Sequence, residues 1–197
     1  MKMRTSADAQ DRTDAGIRRL TSSVSTRNKI RRLLWSIVQA TLYRYSFHTW
    51  SAWRAFLLRA FGARIDRPCI IRRTSRVYYP WLLEIGALAV IGDRAEIYNL
   101  GKIIIGRRVM ISQEAYLCAG THDYKSLEMP LVTHPIVLED DVWICARAFV
   151  GPGVTLHVGA VAGACAVVTR DVPAWTIVAG NPAKFVKDRV ISEQPAS

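Results

Sequence analysis

The sequence predicts a mainly β fold, a parallel β-solenoid of short strands that follows a pair of amphipathic α-helices. Two observations carry this prediction. Apolar residues recur at helical spacing between residues 29 and 62, and after Gly62 the spacing changes to six. A period of six fits neither an α-helix nor an alternating strand, and indicates short strands joined by tight corners, three to a coil. At 197 residues the chain is long enough for one such domain with a real core.

The helical segment is expected to form two helices with a break near residues 46–49, where Ser46 or Thr49 is suited to cap the second helix. Residues 1–26 are polar and show no period, so we expect a disordered basic tail before an amphipathic helical cap over residues 27–64. The apolar stripe of the cap consists of Ile30, Leu33, Leu34, Ile37, Val38, Leu42, Tyr45, Trp50, Trp53, Phe56, Leu57, Ala60 and Phe61.

The solenoid is predicted over residues 65–173, and a C-terminal segment follows over residues 174–197. Each hexad starts with an apolar leader, which we expect to face inward, and most carry a small or β-branched residue four positions later, with Trp81 as an exception. The leaders are Ile65, Ile71, Val77, Ile85, Ile91, Ile97, Ile105, Ile111, Leu117, Leu138, Ile144, Val150, Leu156, Ala162 and Val168.

The spacing departs from six at one corner of the coils. Leaders Ile65, Ile85 and Ile105 lie 20 residues apart, because each of the first two coils carries two additional residues after its third hexad. A long excursion, residues 123–137, also follows the third hexad of its coil, so it leaves from the same corner. His122 stands at the foot of this excursion, which makes the corner a candidate functional site.

The charge is concentrated at one end of the chain. Residues 1–64 carry a net charge of +10, whereas residues 65–197 carry +1. The cap therefore has two interpretations: its apolar stripe covers the open end of the solenoid with the arginines outward, or it attaches to an anionic membrane surface. Nothing resembles a nucleic-acid reader motif, so we expect no nucleic-acid partner. The four scattered cysteines and the lack of the apolar region of a secretory signal peptide at the N-terminus indicate a cytoplasmic protein, either free or peripheral at the inner face of the membrane.

Several motifs resemble those of the hexapeptide-repeat acyltransferases, and among these the colanic acid biosynthesis acetyltransferase group, over roughly residues 27–189. The motifs are YPWLLEIG (79–86), IYNLGKIIIG (97–106), ISQEAYLCAGTHDY (111–124), PIVLEDDVWI (135–144) and VVTRDVPAWTIVAGNPAKFVKDR (167–189). The resemblance implies a left-handed parallel β-helix, a homotrimer with sites between neighbouring subunits, and acetyl-CoA as co-substrate. No metal is expected.

The resemblance also implies roles for individual residues. His122 is the expected general base, which takes a proton from an acceptor hydroxyl so that the oxygen attacks the thioester of acetyl-CoA directly. The alternative is a solvated turn histidine. Asp123 is a candidate for orienting His122. Asn99, one coil before the His122 corner, is either an acceptor-site residue or a corner residue of structural importance only.

The acetyl-CoA groove of the family maps onto small residues and cations, which suit the approach of pantetheine and of nucleotide phosphates. These residues are Trp143, Ala146, Ala164, Thr169, Arg170, Lys184 and Lys187. The chain departs from the family pattern at Cys145, Arg147 and Cys165, which occupy positions where glycine is common. If these corners require positive φ, each non-glycine residue is strained by about 1 kcal/mol.

The sequence therefore predicts an O-acetyltransferase acting on a sugar hydroxyl in exopolysaccharide biosynthesis, with a sugar or a lipid-linked oligosaccharide as acceptor. The alternatives are an acetyltransferase of the same fold for an amino sugar or another small acceptor, and a non-catalytic β-helix scaffold. A carbonic anhydrase of the same architecture is excluded, because His122, His134 and His157 lack the spacing of a three-histidine zinc site.

Overall fold

A computed structural model describes residues 26–191 of the chain. The predicted disordered tail lies outside the described residues, apart from Thr26, which begins the first helix. Helix α1 (Thr26–Val38) continues into a π-helical turn (Gln39–Tyr43), and α2 (Ser51–Ala60) follows after a break. The break falls at the predicted place, and the two helices are confirmed.

The rest of the chain forms five coils of a β-solenoid, with three short strands in each coil. The strands are β1 (Arg64–Ile65), β2 (Ile70–Ile71) and β3 (Arg76–Val77) in coil 1; β4 (Leu83–Ile85), β5 (Val90–Ile91) and β6 (Glu96–Tyr98) in coil 2; β7 (Ile103–Ile105), β8 (Met110–Ile111) and β9 (Tyr116–Cys118) in coil 3. An antiparallel pair, β10 (Gly120–His122) and β11 (Leu131–Thr133), leaves coil 3. Then come β12 (Ile136–Leu138), β13 (Trp143–Ile144) and β14 (Phe149–Val150) in coil 4; β15 (Thr155–Leu156), β16 (Val161–Ala162) and β17 (Val167–Val168) in coil 5; and β18 (Thr176–Ala179) and β19 (Lys184–Asp188).

Strands of successive coils stack in parallel register and so form the three faces of a triangular prism. The first strands of the coils form the first face, the second strands the second face and the third strands the third face. Leaders align from coil to coil, as Ile65 with Ile85 and Ile85 with Ile105 show. All fifteen leaders are at most 7% exposed, and even the undersized leader Ala162 is fully buried. The prediction of an inward-facing hexad leader is confirmed.

Two of the three suspected corner residues do adopt the left-handed backbone region. Arg147 has φ +60° and Cys165 has φ +59°. Cys145 is not among the described residues that have a positive φ. The expectation of strain therefore holds for Arg147 and Cys165 and is wrong for Cys145, which lies two residues before the left-handed position of its corner.

The two cysteines provide a matched test of this strain. Cys165→Gly is expected to raise the free energy of unfolding by about 1 kcal/mol, because glycine accepts positive φ without steric conflict. Cys145→Gly, at an ordinary φ, is expected to lower it by roughly 0.5–1 kcal/mol through the greater entropy of the unfolded chain. Urea unfolding followed by circular dichroism measures both. Changes of the same sign in the two variants would contradict the strain argument.

The two helices cover the open edge of coil 1, where the strand carbonyls have no preceding coil to pair with. Each of the three faces is closed by a side-chain donor from the cap. The bonds run from Arg59 Nε to the Ile65 carbonyl (2.9 Å), from Arg54 Nε to the Ile71 carbonyl (2.6 Å) and from Trp35 Nε1 to the Val77 carbonyl (2.7 Å). Gln39 completes the third face, since its side chain both donates to and accepts from the Val77 backbone. The cap thus satisfies the edge and terminates the solenoid.

The orientation of the cap differs from the expectation of an inward apolar stripe and outward arginines. The largest fully buried side chains of the cap are Trp35, Tyr43, Arg54 and Leu58. Most of the stripe faces away from the solenoid, and its exposed members are Ile30, Leu33, Leu34, Ile37, Leu42, Tyr45, Trp50, Trp53 and Phe56. The physical reason is that the open edge presents carbonyl oxygens, which select hydrogen-bond donors as their partners and not aliphatic side chains.

Candidate active site

The excursion forms a hairpin arm on the edge of the prism between the third and first faces, called here the arm edge. His122 is the last residue of β10 and pairs with Leu131 of β11. His134, in the return segment, donates its backbone N–H to the Ala119 carbonyl (3.1 Å) and so ties the base of the arm to coil 3. His122 is exposed at this base, where a substrate can reach it.

The imidazole of His122 is held by the main chain of the arm. Its Nδ1 lies 2.5 Å from the carbonyl oxygen of Met129. A carbonyl oxygen can only accept a hydrogen bond, so Nδ1 carries the proton in this contact. In the neutral imidazole, Nε2 then keeps its lone pair. The arrangement is that of a base with an assigned tautomer and a fixed ring orientation.

The position of the Met129 carbonyl depends on a tight loop at the tip of the arm. Met129 has φ +43°, and its N–H donates to the Ser126 carbonyl (3.0 Å). The Asp123 N–H donates to the Pro130 carbonyl (3.0 Å), which closes the loop below it. Sequence reasoning missed Met129, because a backbone carbonyl has no signature in the residue types. The Thr-His-Asp triplet followed by an excursion is the one signal that pointed to this place.

The structure places Asp123 differently from its suggested orienting role. Its Oδ1 accepts a hydrogen bond from the Lys125 N–H (2.9 Å), so the carboxylate stabilises the turn at the start of the loop. The partner of the His122 ring is the Met129 carbonyl. Asp123 therefore contributes to the site through the shape of the arm.

Asn99 is fully buried at the arm edge, one coil before the arm. Its Oδ1 accepts hydrogen bonds from the backbone N–H groups of Tyr78 (3.1 Å) and Tyr79 (2.9 Å), and its Nδ2 donates to the Tyr79 carbonyl (2.6 Å). The side chain thus holds the backbone of Tyr78 and Tyr79, at the end of the third strand of coil 1, against coil 2. Of the two roles considered for Asn99, this geometry favours the structural one.

Two of the residues mapped to the acetyl-CoA groove line one cleft on the edge between the second and third faces. Ala146 of coil 4 and Ala164 of coil 5 border a space of about 390 Å³. Charges beside the cleft are already paired: hydrogen bonds from Arg147 and Arg94 hold the pKa of Glu114 below its ordinary value.

Three further residues of the predicted groove, Thr169, Arg170 and Lys184, line a second cleft of about 330 Å³ near the end of the solenoid. Within residues 26–191, neither Arg170 nor Lys184 forms an ion pair. Such cations suit a phosphate-bearing ligand. Trp143 and Lys187 belong to strands of the second face, and the Trp143 indole donates to Ser112 Oγ (3.0 Å).

The structure does not bring His122 and the Ala146–Ala164 cleft together within one chain, whereas Thr169 and Arg170 follow β17 and so stand at the arm edge, two coils beyond His122. His122 stands on the arm edge of coil 3, whereas Ala146 and Ala164 stand on a different edge of the prism. In the part of the chain that the structure describes, no group of three or more His, Cys, Asp or Glu side chains is arranged to hold a metal ion.

Comparison with known proteins agrees with this architecture, although no family profile matches the chain. The chain is 42% identical over 166 residues to the putative colanic acid biosynthesis acetyltransferase WcaF of Escherichia coli (strain K12), covering 84% of this chain and 91% of the relative. The chain belongs to the hexapeptide-repeat acyltransferases. As in other members of this family, its fold is the left-handed parallel β-helix, and the chain is an acyltransferase.

Solved structures of hexapeptide-repeat acyltransferases superpose on most of the chain. An acetyltransferase of Vibrio cholerae O1 biovar eltor in complex with acetyl-coenzyme A matches with a TM-score of 0.75 and 25% identity, over 86% of this chain and 93% of that one. A maltose O-acetyltransferase of Clostridium difficile 630 matches with a TM-score of 0.72 and 23% identity, over 82% and 87% of the two chains. The second likeness concerns the fold alone.

Proposed function

We propose that the chain is an acetyl-CoA-dependent O-acetyltransferase acting on a sugar hydroxyl in exopolysaccharide biosynthesis, with His122 as general base. The observation that carries the proposal is the contact between His122 Nδ1 and the Met129 carbonyl, which leaves Nε2 as a proton acceptor on an exposed edge. The relationship to WcaF, a putative colanic acid biosynthesis acetyltransferase, supports an extracellular polysaccharide as the destination of the acetyl group.

The proposed chemistry needs one proton shuttle and no covalent enzyme intermediate. His122 Nε2 takes the proton from the acceptor hydroxyl as the oxygen attacks the thioester carbonyl. When the tetrahedral adduct breaks down, the C–S bond cleaves and the protonated imidazole returns its proton to the departing thiolate. The products are an acetylated sugar and free CoA, and the imidazole is again neutral for the next cycle.

A homotrimer completes the proposed site. Acetyl-CoA is the expected acyl donor, supported by the solved Vibrio cholerae complex and by the cleft that small side chains leave beside Ala146 and Ala164. Arg170 and Lys184 would meet its phosphates, since neither forms an ion pair among the described residues and Asp171, which lines the same cleft, accepts a hydrogen bond from the Thr155 N–H. The Ala146–Ala164 cleft lies on a different edge of the prism from His122, so we propose that one subunit supplies the base and its neighbour this part of the donor groove.

We further propose a cytoplasmic location at the inner face of the membrane, with peripheral contact through residues 27–64 and a lipid-linked oligosaccharide as one form of acceptor. The excess of positive charge in residues 1–64 supports contact with anionic lipid. The four cysteines are free thiols, which suits a reducing compartment.

The acceptor is expected to be found by two linked measurements. Release of free thiol from acetyl-CoA should rise when the purified chain meets its acceptor in a panel of sugars, glycosides and amino sugars. Mass spectrometry of surface polysaccharide should show an acetyl group that is lost when the gene is deleted and returns when it is restored. Thiol release with amino sugars alone, together with unchanged polysaccharide, would contradict O-acetylation and favour the N-acetyl alternative.

A further inference from the structure

The cap presents a continuous set of large apolar side chains to solvent, called here the apolar ridge. It comprises Ile30, Leu33, Leu34, Ile37, Leu42, Tyr45, Phe47, Trp50, Trp53 and Phe56, each at least 36% exposed. The two helices are joined on this side: the Trp53 indole donates to the Leu42 carbonyl (3.2 Å) and stacks on Phe56 at 5.6 Å. An apolar surface of this extent marks an interaction site.

The apolar ridge takes no part in the packing of the cap on the solenoid, because other side chains of the cap make those contacts. Arg54 is fully buried and donates to Ile71 of coil 1 and to Ser46, Phe47 and His48 in the break between the helices. These bonds fix α2 and the break against coil 1. The opposite sides of the helices, which carry the ridge, are therefore held in a fixed outward orientation.

A basic pocket lies directly beside the ridge. A cavity of about 370 Å³ opens between the cap and the corner that joins β2 to β3, and it is bordered by Arg44, Arg73 and Arg76. Among residues 26–191, Arg44 and Arg73 form no ion pair. The nearby Asp93 is already engaged by the Thr74 hydroxyl (2.6 Å) and by Arg72 (3.8 Å).

The lining of the pocket connects it to the ridge along α1 and the π-helical turn. Ser36 and Ala40 line the pocket, and Ile37 between them belongs to the ridge. Arg44 lines the pocket, and its neighbour Tyr45 belongs to the ridge. A ligand that fills both would carry an anionic group, such as a phosphate, next to a hydrocarbon region.

We propose that the pocket binds the phosphate of an anionic phospholipid headgroup while the apolar ridge enters the bilayer interface, so that the cap docks the solenoid on a membrane. The inference builds on the proposed membrane contact and does not depend on the chemistry at His122. Arginine is suited to the pocket because its planar guanidinium pairs with phosphate through two hydrogen bonds. Aromatic and aliphatic side chains flanked by arginine are typical of helices that lie in the interface plane.

Charge complementarity selects the bilayer over a second copy of the chain. Residues 26–65 contain eight Lys or Arg and no Asp or Glu. A symmetric contact between two caps would bring like charges together, whereas a bilayer with anionic lipid offers the opposite charge at every point of the surface. Of the helices that the structure describes, none is long and apolar enough to cross a membrane, so the proposed contact lies along the surface.

Docking by the cap sets the position of the candidate active site. The cap covers coil 1, and His122 leaves coil 3, which lies two coil spacings or roughly 10 Å further along the prism. The base would thus stand at a fixed height above the headgroups. A sugar joined to a lipid anchor through a short phosphate linkage could reach it.

The test is flotation of the full-length chain with vesicles of phosphatidylcholine alone and with phosphatidylglycerol added. The wild type should bind the second kind at least tenfold more tightly. The pocket variant Arg44→Gln/Arg73→Gln should lose about 25-fold of that affinity, roughly fivefold for each charge removed near the surface. The ridge variant Leu33→Ser/Ile37→Ser should lose at least tenfold. Arg107→Gln, an exposed arginine on coil 3, is the matched control and should bind as the wild type does.

Sedimentation and thiol release on the same proteins separate the other outcomes. Unchanged vesicle affinity in the pocket variant would overturn the phosphate site. A ridge variant that dissociates the oligomer and keeps its vesicle affinity would assign the ridge to a second copy and overturn the docking proposal. Vesicle binding by a chain that releases no thiol with any acceptor would support docking and refute the proposed function.

Discussion

Replacement of His122 by alanine is expected to lower kcat for acetyl transfer by about 10²- to 10⁴-fold, the range that a positioned general base contributes. The imidazole is held through Nδ1 by the Met129 carbonyl, so its removal takes away a positioned proton acceptor. The fold should persist, since His122 is exposed and lies at the base of an arm outside the stacked coils. Thiol release from acetyl-CoA with a responsive acceptor gives kcat, and sedimentation gives the oligomer.

The matched control is His157→Ala. His157 lies on coil 5, away from the arm, and its Nδ1 contacts Glu139 (3.1 Å). This variant should keep kcat within a few fold of the wild type. Full activity of the His122→Ala chain would contradict the general-base mechanism.

The orienting carbonyl can be tested through two substitutions at one position. Met129→Gly keeps the carbonyl and accepts φ +43°, so kcat should stay close to that of the wild type. Met129→Pro forces φ to about −65° and removes the N–H that bonds to Ser126, so the carbonyl should move away and kcat should fall toward that of His122→Ala. Equal kcat values for the two variants would show that the carbonyl does not orient the base.

The solenoid could be predicted from the sequence because one physical requirement repeats at every hexad. Each leader must fill the inside of a narrow prism, and even Ala162, which is undersized, occupies an inward position with no exposure. The insertions at Ile85 and Ile105 identified the arm edge, because extra residues can be accommodated only at a corner. Local spacing therefore sufficed to place His122 on that edge.

The orientation of the cap could not be predicted by the same means. Helical spacing shows that one side of α1 is apolar, but it does not show which side meets the solenoid. The orientation is decided by three carbonyl groups of coil 1 that have no preceding coil to pair with. They accept hydrogen bonds from Trp35, Arg54 and Arg59. Every residue carries a backbone carbonyl, so residue types do not show which carbonyls need a partner. The role of the Met129 carbonyl could not be predicted for the same reason.

The substitution Arg54→Ala is expected to lower the free energy of unfolding by about 3–5 kcal/mol, because it removes a fully buried side chain that donates to one buried and two partly buried carbonyl groups. Arg54 is fully buried and bonds to Ile71 (2.6 Å), Phe47 (2.8 Å) and His48 (2.7 Å). With its loss, the break between the helices separates from coil 1 and the edge of β2 opens. Urea unfolding followed by circular dichroism gives the energy, and light scattering detects edge-to-edge association of the opened coils.

Two further variants separate the loss of these bonds from the loss of a positive charge. Arg44→Ala removes an exposed arginine of the same cap and should change the free energy of unfolding by no more than about 0.5 kcal/mol. Arg54→Lys keeps the charge, but one ammonium group cannot reach both Ile71 and the break between the helices. Its decrease in the free energy of unfolding should therefore lie between the decreases of Arg54→Ala and Arg44→Ala. If Arg54→Ala unfolded at the same urea concentration as Arg44→Ala, closure of the coil edge by this side chain would not be what stabilises the cap.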